Sequence, residues 1–235
     1  MKKQLVKRFH EACSTYHLLE DGDHILVGLS GGKDSLLLLE LLAEQARIHR
    51  PAIRVSAIHV RMANVNYESD TTYLQSFAAR LGVTLYVETT SFDDSIPTKK
   101  PVCFLCSWHR RKVMFNKAQA LGCNKIALGH HLDDVVHTAL LNLFYQGQFA
   151  AMPALMKMRK MPLSIIRPLC MIEEETIRLY AEEAAYLPQR KQCPHEHISR
   201  RDSVRQLFGE IEKISPDVRH SILNALRSSD KMTEE

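Results

Sequence analysis

Residues 29–42 read LSGGKDSLLLLELL, and the six residues His24–Leu29 leading into them read HILVGL. The first run is short, apolar and β-branched, as a buried strand is, while Ser35–Ile48 carries the leucine pattern of a helix. Between them lies the hexapeptide Ser30–Ser35, with two adjacent glycines followed by Lys-Asp-Ser. Glycine tolerates positive φ and lets another group come close to the backbone, so Gly31 and Gly32 permit a tight turn that nothing bulky obstructs. Successive N–H groups in such a turn, together with the amino terminus of the next helix, cradle an anion. Lys33 adds a point charge, Ser30 and Ser35 add hydroxyls, and Asp34 is placed to face a magnesium ion or to cap the helix. The Walker pattern G-x-x-x-x-G-K-[ST] does not fit, because the spacing from Gly28 to Gly32 is one residue short and Asp34 follows the lysine. No G-x-G-x-x-G is present either.

The alternation continues along the chain. Strands are expected at Ile53–Val60, Val83–Thr89, Lys125–Gly129 and Leu163–Leu169. Helices are expected at Ser69–Leu81, Leu105–Leu121, Asp133–Tyr145 and Glu173–Ala185. Strands that alternate with helices form a parallel sheet covered on both faces. The fold class read from this pattern is α/β, a doubly wound, Rossmann-like parallel sheet with helices on both faces. A leading amphipathic helix occupies residues 1–20, the main domain 21–187, and a basic, helical C-terminal segment 188–235, whose last residues SSDKMTEE are expected to fray. With 235 residues, of which 45% are hydrophobic, the chain suffices for one core and a small appendage.

The net charge of +4 permits a polyanionic partner without demanding one. No stretch approaches the roughly 18 apolar residues of a membrane span, and the N-terminus lacks the apolar run of a signal peptide. The expectation is a cytoplasmic protein, so the six cysteines are poor candidates for a disulfide framework. Cys103 and Cys106 alone have ligand-like spacing, in PVCFLCSWHRRK at a helix start. Cys193, with His195 and His197 beside it, is the next landmark. Zinc on Cys103, Cys106, Cys193 and His195 and an iron–sulfur cluster on three cysteines are both compatible with this set. Cys13, Cys123 and Cys170 belong to no motif and read as buried thiols.

In LGHHLDDVVHTALLNLF, residues Leu128–Phe144, the chain leaves a strand and enters a helix whose apolar face is Val136, Leu140, Leu143 and Phe144. Asp133 and Asp134 fall in its first turn, where carboxylates suit the helix dipole. In a doubly wound sheet this strand end shares a rim with Ser30–Ser35. Three basic clusters, at Arg110–Lys112, Lys157–Lys160 and Arg200–Arg205, are compatible with phosphate contacts along an RNA, and Trp108 beside the first is suited either to a base or to the core.

SGGKDS resembles the PP-loop of the ATP pyrophosphatase superfamily. The wider set, SGGKDS, CFLCSWHRRKVMF, ALGHHLDDVVHTALLNLFYQGQFAAMP, IIRPLCMIEEETIRLYA and a late cysteine, resembles the tRNA 2-thiocytidine synthetase family over most of Ile25–Ala185. The resemblance implies that Ser30, Gly31, Gly32, Lys33, Asp34 and Ser35 bind ATP, with His130 lining the pocket and Asp133 holding Mg2+. Lys33, Asp34 and Asp133 then carry the catalysis; His131 and His137, read from the residues alone, are compatible with structural roles. It further implies a [4Fe-4S] cluster on Cys103, Cys106 and Cys193, tRNA as partner, sulfide or a cysteine desulfurase-derived persulfide as sulfur donor, and a homodimer. The strand end at Met62–Ser69 would border the adenine. The implied reaction adenylates a base carbonyl, cytidine C2, and replaces its oxygen with sulfur. Two departures stand out: Cys193 is followed by Pro194, His195 and Glu196 instead of a second C-x-x-C, and His137 occupies the glutamate position of D-D-x-x-E-T. The rival readings are an adenylating enzyme without sulfur transfer, like lysidine or NAD synthetase, and a nucleotide-binding redox sensor with a structural metal site.

Overall fold

The structure is a computed structural model, and it describes residues 1–64, 70–92, 101–187 and 200–234. In chain order the elements are α1 (Lys2–Thr15), β1 (His24–Gly28), α2 (Lys33–Ile48), β2 (Arg54–Met62), α3 (Thr71–Leu81), β3 (Thr84–Thr90), α4 (Val102–Ala120), β4 (Lys125–Ala127) and α5 (Leu132–Gln146). There follow β5 (Leu155–Lys157), β6 (Ser164–Ile166), α6 (Glu174–Glu183), α7 (Arg200–Ile214), α8 (Val218–Ser228) and β7 (Thr233–Glu234). Contacts group the described residues into two units. One holds Glu20–Ala127 with 185–187; the other holds Met1–Leu19, Leu128–Ala184 and 200–234.

The first of these units is the parallel α/β layer. Its strands lie in the order β3-β2-β1-β4, and every neighbouring pair is parallel. The steps β1-α2-β2 and β2-α3-β3 move in one direction, and β3-α4-β4 returns past them to the far side of β1. Parallel crossovers are right-handed, so α2 and α3 cover one face and α4 the other. Leu36–Leu39, Leu41 and Leu42 of α2 are all buried, which explains why the leucine run has almost no polar interruption. At the start of the strands a buried ion pair joins neighbours: Lys125 Nζ lies 2.8 Å from Asp23 Oδ2. The same carboxylate accepts from Asn124 Nδ2 at 2.7 Å and from the Glu20 N–H at 2.7 Å.

The other unit is mostly helical. Helix α5 packs against α7 and α8, and α1 against α6. Leu5, Phe9 and Ala12 of α1 are buried, the apolar stripe expected of the leading helix. The strands of this unit depart from the expected pattern. β5 was not foreseen, and it pairs antiparallel with β6 through Leu155↔Ile166 and Lys157↔Ser164. A connection as short as residues 158–163 can only return the chain antiparallel. The tail does not fray: β7 pairs parallel with β5, and Met232 before it is 2% exposed. The apolar face expected along α5 is buried at Val136 and Leu140, but Leu143 and Phe144 are 44% and 50% exposed. Among the described residues no helix is long and apolar enough to cross a membrane.

The ion pair yields a stability test. Asp23→Ala leaves the buried Lys125 ammonium with the more exposed Glu20 carboxylate at 3.5 Å and removes the acceptors of Asn124 and the Glu20 N–H, so it is expected to destabilise the protein by about 3 kcal/mol. Urea unfolding followed by far-ultraviolet circular dichroism measures this; a loss within experimental error would mean that Lys125 finds water instead.

Candidate active site

The loop Ser30–Ser35 leaves β1 beside β4, where the crossovers part in opposite directions. Such a switch point opens a crevice at the carboxyl ends of the strands. Gly31 adopts φ +88°, the left-handed region that a side chain disfavours, whereas Gly32 is extended at φ −74° and caps α2. The two serines hold the turn. Ser35 Oγ accepts from the Gly31 N–H at 3.2 Å and donates to the Gly32 carbonyl at 2.9 Å. Ser30 Oγ accepts from the Gly32 N–H at 3.3 Å and donates to Ser35 Oγ at 3.2 Å. Ser35 is buried, so it acts first as framework. In the first turn of α2 the Ser35 N–H donates to the Gly32 carbonyl at 3.0 Å, so the helix closes directly on the glycine turn.

A residue not singled out in the sequence anchors the loop from below. His59 of β2 is 2% exposed and donates through Nδ1 to the Leu29 carbonyl at 2.7 Å. A carbonyl only accepts, so the proton is on Nδ1. Burial lowers the pKa of His59, which keeps the ring neutral, although the bond to Leu29 works the other way. The sequence signal was slight: one histidine inside the apolar run SAIHV.

Lys33 Nζ lies 3.2 Å from Asp34 Oδ1. That oxygen is shielded from solvent and has no hydrogen bond among the described residues. A hard cation arriving with phosphates suits such an acceptor, because magnesium binds through one or two carboxylates and completes its shell with phosphate oxygens and water. The donor set at Asp34 therefore fits magnesium.

Cys103 and Cys106 lie in the first turns of α4, the same parallel unit, exposed and half-buried respectively. Their i, i+3 spacing puts both on one face, and a helix amino terminus favours thiolates. This donor set fits two ligands of a thiolate-held metal. Cys193, His195 and His197 lie outside the described residues, and among those described no cluster of three or more metal-ligating side chains occurs. Residues 65–69 of the expected adenine border are likewise outside them. Cys123 and Cys170 are buried as expected, and burial pushes their thiols up to about 11 and about 12. Cys13 is half-buried.

His130 and Asp133 belong to the helical unit. Arg167 donates through Nε to His130 Nδ1 at 3.2 Å and through Nη1 to the Pro153 carbonyl at 2.5 Å. This fixes the His130 proton on Nε2. Burial and the Arg167 charge lower its pKa to about 4, against the opposing pull of Asp134. Asp133 is heavily engaged. Its Oδ2 accepts from the Glu174 N–H at 2.7 Å, and its Oδ1 meets Arg219 Nη2 at 3.0 Å. Burial alone would raise its pKa; hydrogen bonds from His131 and Glu174 and the charge of Arg219 outweigh that and bring it to about 2. Arg219 also binds Glu212 at 2.7 Å and Glu173 at 3.5 Å. Asp133 is thus engaged by a cationic side chain, as Asp34 is by Lys33. Arg219 carried no motif in the sequence. His131 is buried beside Asp133 and Asp134, and His137 packs edge-on against Phe208 at 5.4 Å, both as structural histidines do. Part of the third basic cluster faces acids: Arg201 lies 3.9 Å from Asp134, and Arg205 3.8 Å from Glu174.

Comparison with known proteins adds the context. The PP-loop domain family model matches residues 1–187. A protein of Geobacter sulfurreducens named tRNA-cytidine(32) 2-sulfurtransferase is 35% identical, over 95% of this chain and 89% of its own length. A Bdellovibrio bacteriovorus protein of the same name is 34% identical, over 96% of this chain and 86% of its own. Among solved structures, the U34-tRNA thiolase NcsA of Methanococcus maripaludis, described with its [4Fe-4S] cluster, superposes with a TM-score of 0.75 at 24% identity. That match covers 94% of this chain and 77% of the thiolase, and it bears out the α/β, Rossmann-like fold class.

The neutral histidines make stability depend on pH. His130 binds a proton in the unfolded chain near its ordinary value of 6.5 and in the folded protein at about 4. Its contribution is therefore complete above pH 6.5 and is lost as pH falls through that window, at about 1.4 kcal/mol per pH unit for one proton. His59 and His137, also lowered by burial, act in the same direction. Urea midpoints are expected to fall between about pH 7 and about pH 5, and less steeply in His130→Gln; parallel curves would show that His130 titrates normally.

Proposed function

The chain belongs to the PP-loop domain family and groups with the tRNA-cytidine(32) 2-sulfurtransferases, and on that premise we propose that it is an ATP-dependent, AMP-forming tRNA sulfurtransferase acting on cytidine C2. The observation that carries this reading is the pairing, within one parallel unit, of an anion-cradling loop with two thiols a single turn apart at a helix amino terminus. Lysidine and NAD synthetase chemistry has a use for the first feature and none for the second.

In this reading ATP lies with its phosphates over Ser30–Ser35. The cytidine C2 oxygen attacks the α-phosphorus, and pyrophosphate leaves. Negative charge gathers on the phosphorus oxygens, where the first-turn amides of α2 and Lys33 meet it with dipoles already in place. Asp34, together with phosphate oxygens, would hold Mg2+, which neutralises part of that charge. His130, with its proton on Nε2, presents a hydrogen-bond donor. Asp133 positions the start of α5 through its bonds to Glu174 and Arg219. Cys103, Cys106 and Cys193 would hold a [4Fe-4S] cluster, whose chemistry is to supply sulfur as the nucleophile at the activated carbon. AMP departs with the former carbonyl oxygen, and C2 keeps the sulfur. Sulfide is the donor, or a desulfurase-derived persulfide whose outer sulfur a thiol reductant first brings to the sulfide level with two electrons; a homodimer is the assembly that the family resemblance implies.

The test is direct. Protein reconstituted anaerobically with iron and sulfide is incubated with ATP, sulfide and unmodified tRNA, and the digested tRNA is searched by mass spectrometry. A 2-thiocytidine that requires ATP is expected; no ATP-dependent thionucleoside in any tRNA pool removes the proposal. Cys103→Ala and Cys106→Ala should each lose the product and the visible absorbance while still binding ATP. Gly31→Ala should do the reverse. A Cβ in the left-handed region costs about 1–2 kcal/mol, so ATP affinity is expected to fall on the order of tenfold with the absorbance intact.

A further inference from the structure

Helix α4 carries two distinct stripes. At about 100° per residue, Cys103, Cys106 and Arg110 share one line along the helix. Phe104, Trp108, Arg111 and Phe115 share another, well over a quarter-turn away. The second stripe is turned to solvent where it is largest: Phe104 is 48% exposed and Trp108 is 49% exposed. The indole is nevertheless braced. His109 meets Trp108 edge-on at 4.9 Å, and His109 in turn rests against Phe92, which is 8% exposed, at 5.8 Å. Lys112 Nζ lies 5.5 Å from the centre of the Trp108 ring. A tryptophan held this way offers a large planar surface with little freedom left to lose on binding.

The helix also fixes the sign of what it can meet. Its 19 residues, VCFLCSWHRRKVMFNKAQA, contain Arg110, Arg111, Lys112 and Lys117 and no carboxylate. An isologous contact with a second copy would set cations against cations, with no acidic group on the helix to offset them. A partner that brings planar faces together with negative charge matches both features, and unpaired nucleotides do so. Single-stranded RNA is bound by stacking its bases on aromatic side chains while cations follow the phosphates.

We propose that Trp108, braced by His109 and flanked by Arg111 and Lys112, is a stacking platform for an unpaired base of the tRNA loop next to the cytidine that reacts. The proposal rests on the tRNA reading above and deepens it. The thiol stripe and the platform stripe then divide the labour: one face of α4 serves sulfur chemistry, and the adjoining face holds the neighbouring nucleotide so that the target base is presented in register.

Trp108 is the single tryptophan of the chain, so its fluorescence reports on this site alone. The full protein is titrated with a stem-loop RNA bearing an unpaired loop and, separately, with a blunt duplex RNA of equal length. The stem-loop should quench the emission, and the duplex should bind by charge without quenching. In filter binding, Trp108→Ala should weaken the stem-loop on the order of tenfold and leave the duplex unchanged, and Trp108→Phe should recover most of the loss. ATP binding, unaffected in both variants, serves as the control for folding. Stem-loop binding with unchanged emission, and no effect of Trp108→Ala, overturns the platform and leaves the tRNA reading standing. Absence of any stem-loop binding overturns both. Emission that varies with protein concentration, with Trp108→Ala dissociating a dimer in size-exclusion chromatography, assigns the stripe to self-association and overturns the proposal.

Discussion

The buried Asp23–Lys125 pair joins the foot of the two strands between which the chain changes direction. Much else depends on that junction. Strand β1 has β2 on one side and β4 on the other, and α2, which leads from β1, and α4, which leads into β4, cover opposite faces. The loop Ser30–Ser35 leaves the carboxyl end of β1 at that change of direction. A charge pair is a costly way to join two strands unless both ions are well served. Here Asn124 and the Glu20 amide complete the carboxylate, so the register of β1 against β4 is specified at the end remote from the chemistry.

The same economy of partners appears in the loop itself. A turn that presents N–H groups to an anion must not spend them all on itself, yet it must keep its shape before the anion arrives. Two serine hydroxyls meet the second need by holding Gly31 and Gly32 from the side, and the Ser35 N–H closes the first turn of α2 on the Gly32 carbonyl. His59 supplies the floor by donating to the Leu29 carbonyl, and its burial favours the neutral ring. The loop is pre-organised largely by neutral groups, and its lysine, Lys33, is paired with the neighbouring Asp34.

Much of this was legible in the sequence, and the limits of that legibility have physical causes. The parallel layer was visible because each of its strands is a compact apolar run and each helix a longer periodic one. β5 and β7, three and two residues long, bury too little to leave a pattern, and their pairing depends on partners distant in the chain. The apolar face of α5 was legible, but its exposed end at Leu143 and Phe144 was not, because periodicity reports which side of a helix is apolar and not how far its cover extends. Glycines, thiols and paired carboxylates were noticed because their chemistry is unusual. Arg219 was not, since an arginine on an amphipathic helix is ordinary until its partners from α5, α6 and α7 are in place. The partners of Asp133 were hidden for the same reason: a carboxylate in a first helical turn shows nothing in one dimension of the arginine that reaches it from α8.

That last case bears on how the C-terminal helices contribute. Arg219 projects from α8 and joins Asp133 at the start of α5, Glu173 at the start of α6 and Glu212 near the end of α7. One guanidinium thus gathers carboxylates that would otherwise repel one another in a confined space, and its planar donors set their directions. Asp133 in turn caps the Glu174 N–H, so the start of α6 is held against the start of α5. The segment just before α5 contains His130, whose ring is oriented by Arg167 from the strand side. Two arginines, each bound to several acceptors, therefore control the short path 128–134 from both ends. The tail of the chain is built into the framework that orients these residues, which is why α7 and α8 pack directly on α5 instead of standing apart as an appendage.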